Sequence, residues 1–105
     1  MTVAIYKLTE QFPKAEIFGL SSQLRRSAVS VASNIAEGYG RATKGEYVHF
    51  LGMARGSNSE LQTQLVIARE LKFGDQELWQ TVEKFSHEVG KMITAIMKSL
   101  QLQKK

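Results

Sequence analysis

The chain has 105 residues, one proline, no cysteine and a net charge of +4, a length that fits one compact domain over residues 1–105. The missing cysteine excludes disulfides, zinc–thiolate centres and thiol nucleophiles. No apolar run approaches the roughly 18 residues needed to span a bilayer, and MTVAIYKLTEQF lacks the order of a secretory signal. The expected compartment is the cytoplasm, with no membrane partner. Seven basic and four acidic residues fall in 1–55, against seven and six in 56–105, so the basic surplus lies in the first half. That balance permits an acidic partner such as RNA or DNA without demanding one.

In chain order, Met1, Ala4, Ile5, Leu8 and Phe12 recur at helical spacing and predict a short first helix to about residue 11. Phe12-Pro13 breaks it, because the residue before proline is pushed out of the α region. Pro13-Lys-Ala-Glu-Ile-Phe18 is then expected to form one or two turns ending at Gly19. A second helix follows, capped by Ser21 or Ser22. Leu20, Leu24, Ala28, Val31 and Ile35 share one face at 100° per residue, with Asn34 at the edge. Gly38-Tyr39-Gly40 is expected to end it, glycine being able to take a left-handed cap.

Thr43-Lys-Gly-Glu46 is a capping box that opens a third helix. Its face is Tyr47, Phe50, Leu51, Ala54, Asn58, Leu61, Leu65 and Ala68, running to about Phe73, with Gly74 as the stop. Asp75 is the expected cap of a fourth helix whose stripe is Leu78, Val82, Phe85, Val89, Met92, Ile93, Ile96 and Leu100. The short turn at Gly74-Asp75 forces helices three and four antiparallel, and the tail QLQKK is expected to fray. The fold class is therefore all-α, an antiparallel up-and-down four-helix bundle with a short or truncated first helix.

Two helices carry more than a lone bundle requires. Away from the core face, helix two has Val29, Ala32 and Ala36, and helix three has Gly52, Gly56, Ser59 and Thr63. Small residues so spaced let helix backbones approach closely, and glycine inside a soluble helix costs about 0.8–1 kcal/mol relative to alanine. A subunit interface would offset that cost; a solvated surface is the plainer alternative. Asn34 and Asn58 are expected as buried amides that fix register. Arg25, Arg26, Tyr39, Arg41, Lys44 and Arg55 suit phosphate contacts and base stacking. Glu37 and Glu60 could instead pair with these arginines, within the chain or across subunits.

Catalytic patterns are not supported. A di-iron carboxylate bundle needs two Glu-x-x-His motifs, and only Glu46-Tyr-Val-His49 matches, directed away from the core face. Asp75, the sole aspartate, is explained as a helix cap, so no Ser-His-Asp triad is indicated. Residues 38–45 lack the order of a phosphate loop and no strand precedes them. No metal, cofactor or catalytic residue is expected.

One resemblance covers residues 10–100. FPKAEIFGLSSQLRRSAVSVASNIAEGYGR, followed by a helix with GSNSELQTQLVIA, closely resembles the 23S rRNA intervening-sequence, or S23-type, family. The matching positions are Phe12-Pro13, Glu16, Gly19-Leu20, Gln23 to Arg26, Ser30, Asn34 to Gly38, Arg41, Gly56-Ser57 and Glu60-Leu61. The resemblance implies an antiparallel four-helix bundle assembled into a homopentameric ring, bacterial and cytoplasmic, with no enzyme activity. The family is encoded within insertions in large-subunit rRNA genes or elsewhere in bacterial genomes. A similar bundle, the accessory protein of diversity-generating retroelements, binds nucleic acid and a reverse transcriptase. The chain departs from the family at its start, where the first helix is usually longer. The expected partners are further copies of the chain, RNA or DNA, or another protein that the bundle would scaffold.

Overall fold

The computed structural model describes residues 1–16 and 19–102. Four α-helices follow one another: α1 (Thr2–Thr9), α2 (Leu20–Tyr39), α3 (Lys44–Glu70) and α4 (Gln76–Leu102). A 3-10 turn at Lys14–Glu16 joins α1 to α2; Ile17, Phe18 and the final residues 103–105, including most of the expected fraying tail, lie outside the described residues. α2 packs on α1 and α3, and α4 on α3 and α1, the arrangement of an up-and-down bundle.

The helix ends differ from the expected ones in instructive ways. α2 begins at Leu20 on Gly19 rather than on Ser21 or Ser22. The Glu16 carboxylate, held by the 3-10 turn, accepts the Leu20 N–H at 3.3 Å, so no serine is needed there and Ser21 is buried inside the first turn. At the other end Gly40 is right-handed, with φ −81°, not the expected left-handed cap. Gly38 is required for space instead: a Cβ there would lie 2.9 Å from Phe50 Cβ and 3.2 Å from the Tyr47 carbonyl oxygen. The α2–α3 crossing is close enough to admit only a hydrogen.

The Thr43 box forms, its hydroxyl accepting the Glu46 N–H at 3.1 Å and donating to the Glu46 carboxylate at 3.1 Å. α3 stops at Glu70, earlier than expected. The Phe73 N–H reaches the Ala68 carbonyl and the Lys72 N–H that of Arg69, a Schellman arrangement with Lys72 in the left-handed region at φ 59°. Gly74, at φ 80°, therefore turns the chain rather than ending the helix. A Cβ on it would lie 2.6 Å from Leu8 Cδ1 and 3.1 Å from Phe12 Cε1, because α1 closes directly over this turn. Asp75 caps α4, accepting the Leu78 N–H at 3.1 Å.

Two apolar clusters lie along the 51 Å length of the molecule. In the first, Ile5 and Leu8 of α1 meet Leu24, Ala28, Leu61, Leu65, Trp79 and Val82. The second consists of Leu51, Ala54 and Ile93, fringed by half-buried Ile35, Tyr47, Val89, Ile96, Met97 and Leu100, and contains no α1 residue. An eight-residue helix is about 12 Å long against about 40 Å for α3 and α4, so the bundle has four helices at one end and three at the other. The α4 stripe is accordingly rotated from the expected one. Phe85 and Met92 are 40% and 46% exposed, while Trp79 and Ser86 are buried. The rotation lets the Trp79 indole N–H donate to the Leu65 carbonyl at 2.7 Å and turns Ser86 toward α3.

Candidate nucleic-acid and subunit-facing surfaces

The six residues expected at a nucleic-acid surface do not form one patch. Arg25 and Arg26 lie in the second turn of α2 and Arg41 just beyond its end, about 22 Å further along at 1.5 Å per residue. The two members of the Arg-Arg pair also differ in what they do. The Arg25 Nε–H donates to Thr9 Oγ1 at 2.8 Å, and its guanidinium lies 4.6 Å from the Tyr6 ring centroid. Arg25 is therefore a tie between α2 and α1. Arg26 is exposed, one position and 100° around the helix, and has no ion pair among the described residues.

Arg41 is likewise engaged. It pairs with Glu37 at 2.9 Å and Glu46 at 3.8 Å, and stacks 4.7 Å from the Phe50 centroid. The intrachain Glu37 pairing is thus present, and it ties the α2–α3 loop to both flanking helices. Tyr39 is 78% exposed, held edge-on to Tyr47, and its outer face is open for stacking. Lys44 is exposed in the first turn of α3. Arg55 is exposed midway along that helix and has no ion pair among the described residues.

The small-residue positions also separate into two surfaces. Gly52 is half-exposed and Gly56, Ser59 and Thr63 are exposed on α3. An added Cβ at Gly52 or Gly56 would meet nothing within 4 Å, so neither glycine serves packing inside this chain. Val29 is 44% exposed, and Ala32 and Ala36 are exposed. By helical periodicity Ala32 and Ala36 share the flank of α2 that carries Arg25, the α1 side, rather than lying opposite the core as expected. They fall beyond the reach of α1, next to the thinner end of the bundle.

Polar side chains inside the bundle are more numerous than the two asparagines expected. Asn58 is 3% exposed. Its amide donates to the Ser86 carbonyl at 2.9 Å and accepts the Ser86 hydroxyl at 2.8 Å, while Gln62 Nε2 donates to the same hydroxyl at 3.0 Å. Asn34 is only half-buried, a correction to its expected burial. It lies on the α2 edge and donates to the Ser30 carbonyl at 2.9 Å and the Ser30 hydroxyl at 3.1 Å. Ser30 in turn meets the Ser57 hydroxyl at 2.8 Å, and Ser27 donates to Gln64 at 3.1 Å. These contacts fix the α2–α3 and α3–α4 registers. Reading asparagines alone missed the serines, although Ser27, Ser30 and Asn34 recur at the helical spacing that marks a seam.

Glu46 and His49 are exposed on α3, and His87 on α4. Among the described residues no helix is long and apolar enough to cross a membrane.

The sequence profile described as 23S rRNA-intervening sequence protein matches residues 1–95. The chain belongs to this family. A solved structure described as a protein with unknown function from the S23 ribosomal protein family of Bacteroides thetaiotaomicron VPI-5482 has the same fold. Its TM-score is 0.80 at 23% identity, covering 92% of this chain and 88% of that one. No protein with a curated description matches the chain. The family assignment thus rests on nearly the whole sequence, and the bundle recurs in a distant relative.

Proposed function

We propose that this member of the 23S rRNA-intervening sequence family is a non-enzymatic, bacterial, cytoplasmic protein that self-associates, as a pentamer by the family resemblance, and contacts RNA or DNA through exposed cations. The observation that carries the nucleic-acid reading is the division among the arginines. Arg25 and Arg41 are held by contacts inside the chain, while Arg26 and Arg55 are exposed without an ion pair among the described residues. Unpaired guanidinium groups suit bidentate phosphate contacts, and several copies in one assembly would add avidity. Self-association is supported by the vacant space over Gly52 and Gly56, since mid-helix glycines are costly unless close packing offsets them.

The second reading is a protein–protein scaffold in which the same arginines pair across subunits. Val29, one turn beyond Arg26 and 44% exposed, favours it, because an apolar neighbour suits an interface. Arg26→Glu separates the two when oligomer mass and RNA binding are measured together. An intact oligomer that no longer binds structured RNA at low salt supports the first reading. A collapsed oligomer supports the second. Undetectable RNA and DNA binding by the wild-type protein at low salt removes the nucleic-acid reading.

A further inference from the structure

An open groove of about 490 Å³ lies between α3 and α4. Arg55, Asn58 and Gln62 line it from α3, and His87, Gly90 and Lys91 from α4. No carboxylate and no large apolar side chain is part of the lining. Arg55 and Lys91 are exposed, and neither has an ion pair among the described residues. The groove is therefore cationic at its rim and neutral-polar at its base.

The base is pre-organised. Asn58 and Gln62 are both fastened to Ser86, so their amide planes are set before any ligand arrives. Asn58 Nδ2 has one hydrogen committed to the Ser86 carbonyl and a second available. Gly90 sits directly against it: a Cβ at that position would lie 3.2 Å from Asn58 Nδ2. Glycine is disfavoured in the middle of a helix, and α4 neither bends to a turn nor ends here. Its effect is to keep the base of the groove uncovered beside the Asn58 amide.

We propose that this α3–α4 groove is a phosphate subsite, in which Arg55 and Lys91 hold one backbone phosphate of a nucleic-acid strand above the Asn58–Gln62 amides. A guanidinium fork and a mobile ammonium supply the charge, and fixed neutral donors supply orientation. A groove open along the helices lets a strand enter and leave, as a closed cavity would not. The proposal rests on the nucleic-acid reading above and adds Lys91, Asn58, Gln62 and Gly90 to it. None of these carries the Arg26 argument, so the two are separable.

The test measures binding of a fluorescent single-stranded RNA to the full chain across a salt series, with inorganic phosphate titrated separately by NMR. The variants are Arg55→Gln with Lys91→Gln, Gly90→Ala, and Lys98→Gln as an exposed control outside the groove. The proposal expects the double variant to lose about tenfold or more in affinity and its log–log salt slope to shrink by about 0.7, one phosphate contact. Gly90→Ala is expected to weaken binding with no change of charge, and Lys98→Gln to leave the slope unchanged. RNA binding that is tight in wild type and unaltered in both groove variants overturns the proposal and leaves the wider nucleic-acid reading standing. If RNA does not bind but inorganic phosphate shifts the Asn58 and Gln62 side-chain resonances in wild type and not in the double variant, the subsite stands with a small phosphate as its ligand. Absence of both signals overturns the subsite, and the wider reading falls with it when DNA binding is also undetectable at low salt.

Discussion

The two ends of the bundle are made from the same three long helices and differ by one short one. Where α1 is present, Ile5, Leu8, Leu24, Leu61 and Val82 are wholly or almost wholly removed from water. Where it is absent, full burial shrinks to Leu51, Ala54 and Ile93, and the surrounding Ile35, Val89, Ile96 and Leu100 stay half-covered. Apolar side chains are supplied at both ends, so composition is not what separates them. The fourth wall is. Stability should therefore be concentrated at the α1 end, and the thinner end should carry the apolar and small surfaces still able to accept another chain.

The contrast can be broken most directly by truncating one side chain at each end. Leu61→Ala removes a fully buried side chain from the first cluster and is expected to cost about 2–5 kcal/mol. Ile96→Ala, at the thinner end, is expected to cost about 1 kcal/mol under dissociating conditions, because part of its surface already meets water. Urea unfolding of both variants checks this. Equal costs at high dilution would erase the distinction. A gap that narrows as protein concentration rises would show that another copy covers the thinner end.

Gly74→Ala comes next in size. The positive φ and the 2.6 Å approach of Leu8 Cδ1 strain the turn and push α1 off its seat, for an expected loss of about 1–3 kcal/mol. Hydrogen exchange should then show α1 losing protection before α3 and α4. Uniform loss over all four helices would mean that α1 is not a separable wall.

The smallest expected effect has the opposite sign. Gly52→Ala and Gly56→Ala place a methyl in open space and should stabilise the isolated chain by about 0.5–1 kcal/mol each through helix propensity. The same methyls should weaken self-association if a second helix seats there. Thermal unfolding and light scattering on one sample separate the effects; stabilisation with unchanged mass would return this face to solvent.

Much of the fold was legible because it rests on local chemistry. The Thr43 box, the Asp75 cap and the Leu20, Leu24, Ala28, Val31 spacing each follow from a few adjacent residues. The misplaced features depended on distant ones. Glu16 removes the need for a serine cap on α2, and Phe50 decides what Gly38 is for. The short reach of α1 decides which side of α4 is covered, leaving Phe85 and Met92 out. At the candidate site, Arg25 and Arg26 are indistinguishable as neighbouring letters. Only the position of Thr9 and Tyr6 on α1 shows that one is a structural tie and the other is exposed. Lys91 and Gly90 went unnoticed for the same reason, since nothing near them in the chain announces the Arg55 and Asn58 they stand beside.

The proposed self-association would use the surfaces that α1 leaves uncovered and the open face over Gly52 and Gly56. Native mass spectrometry of the 105-residue chain at micromolar concentration decides this. One homo-oligomeric species is expected, at five chain masses if the family resemblance extends to assembly. A lone monomer at that concentration would contradict it.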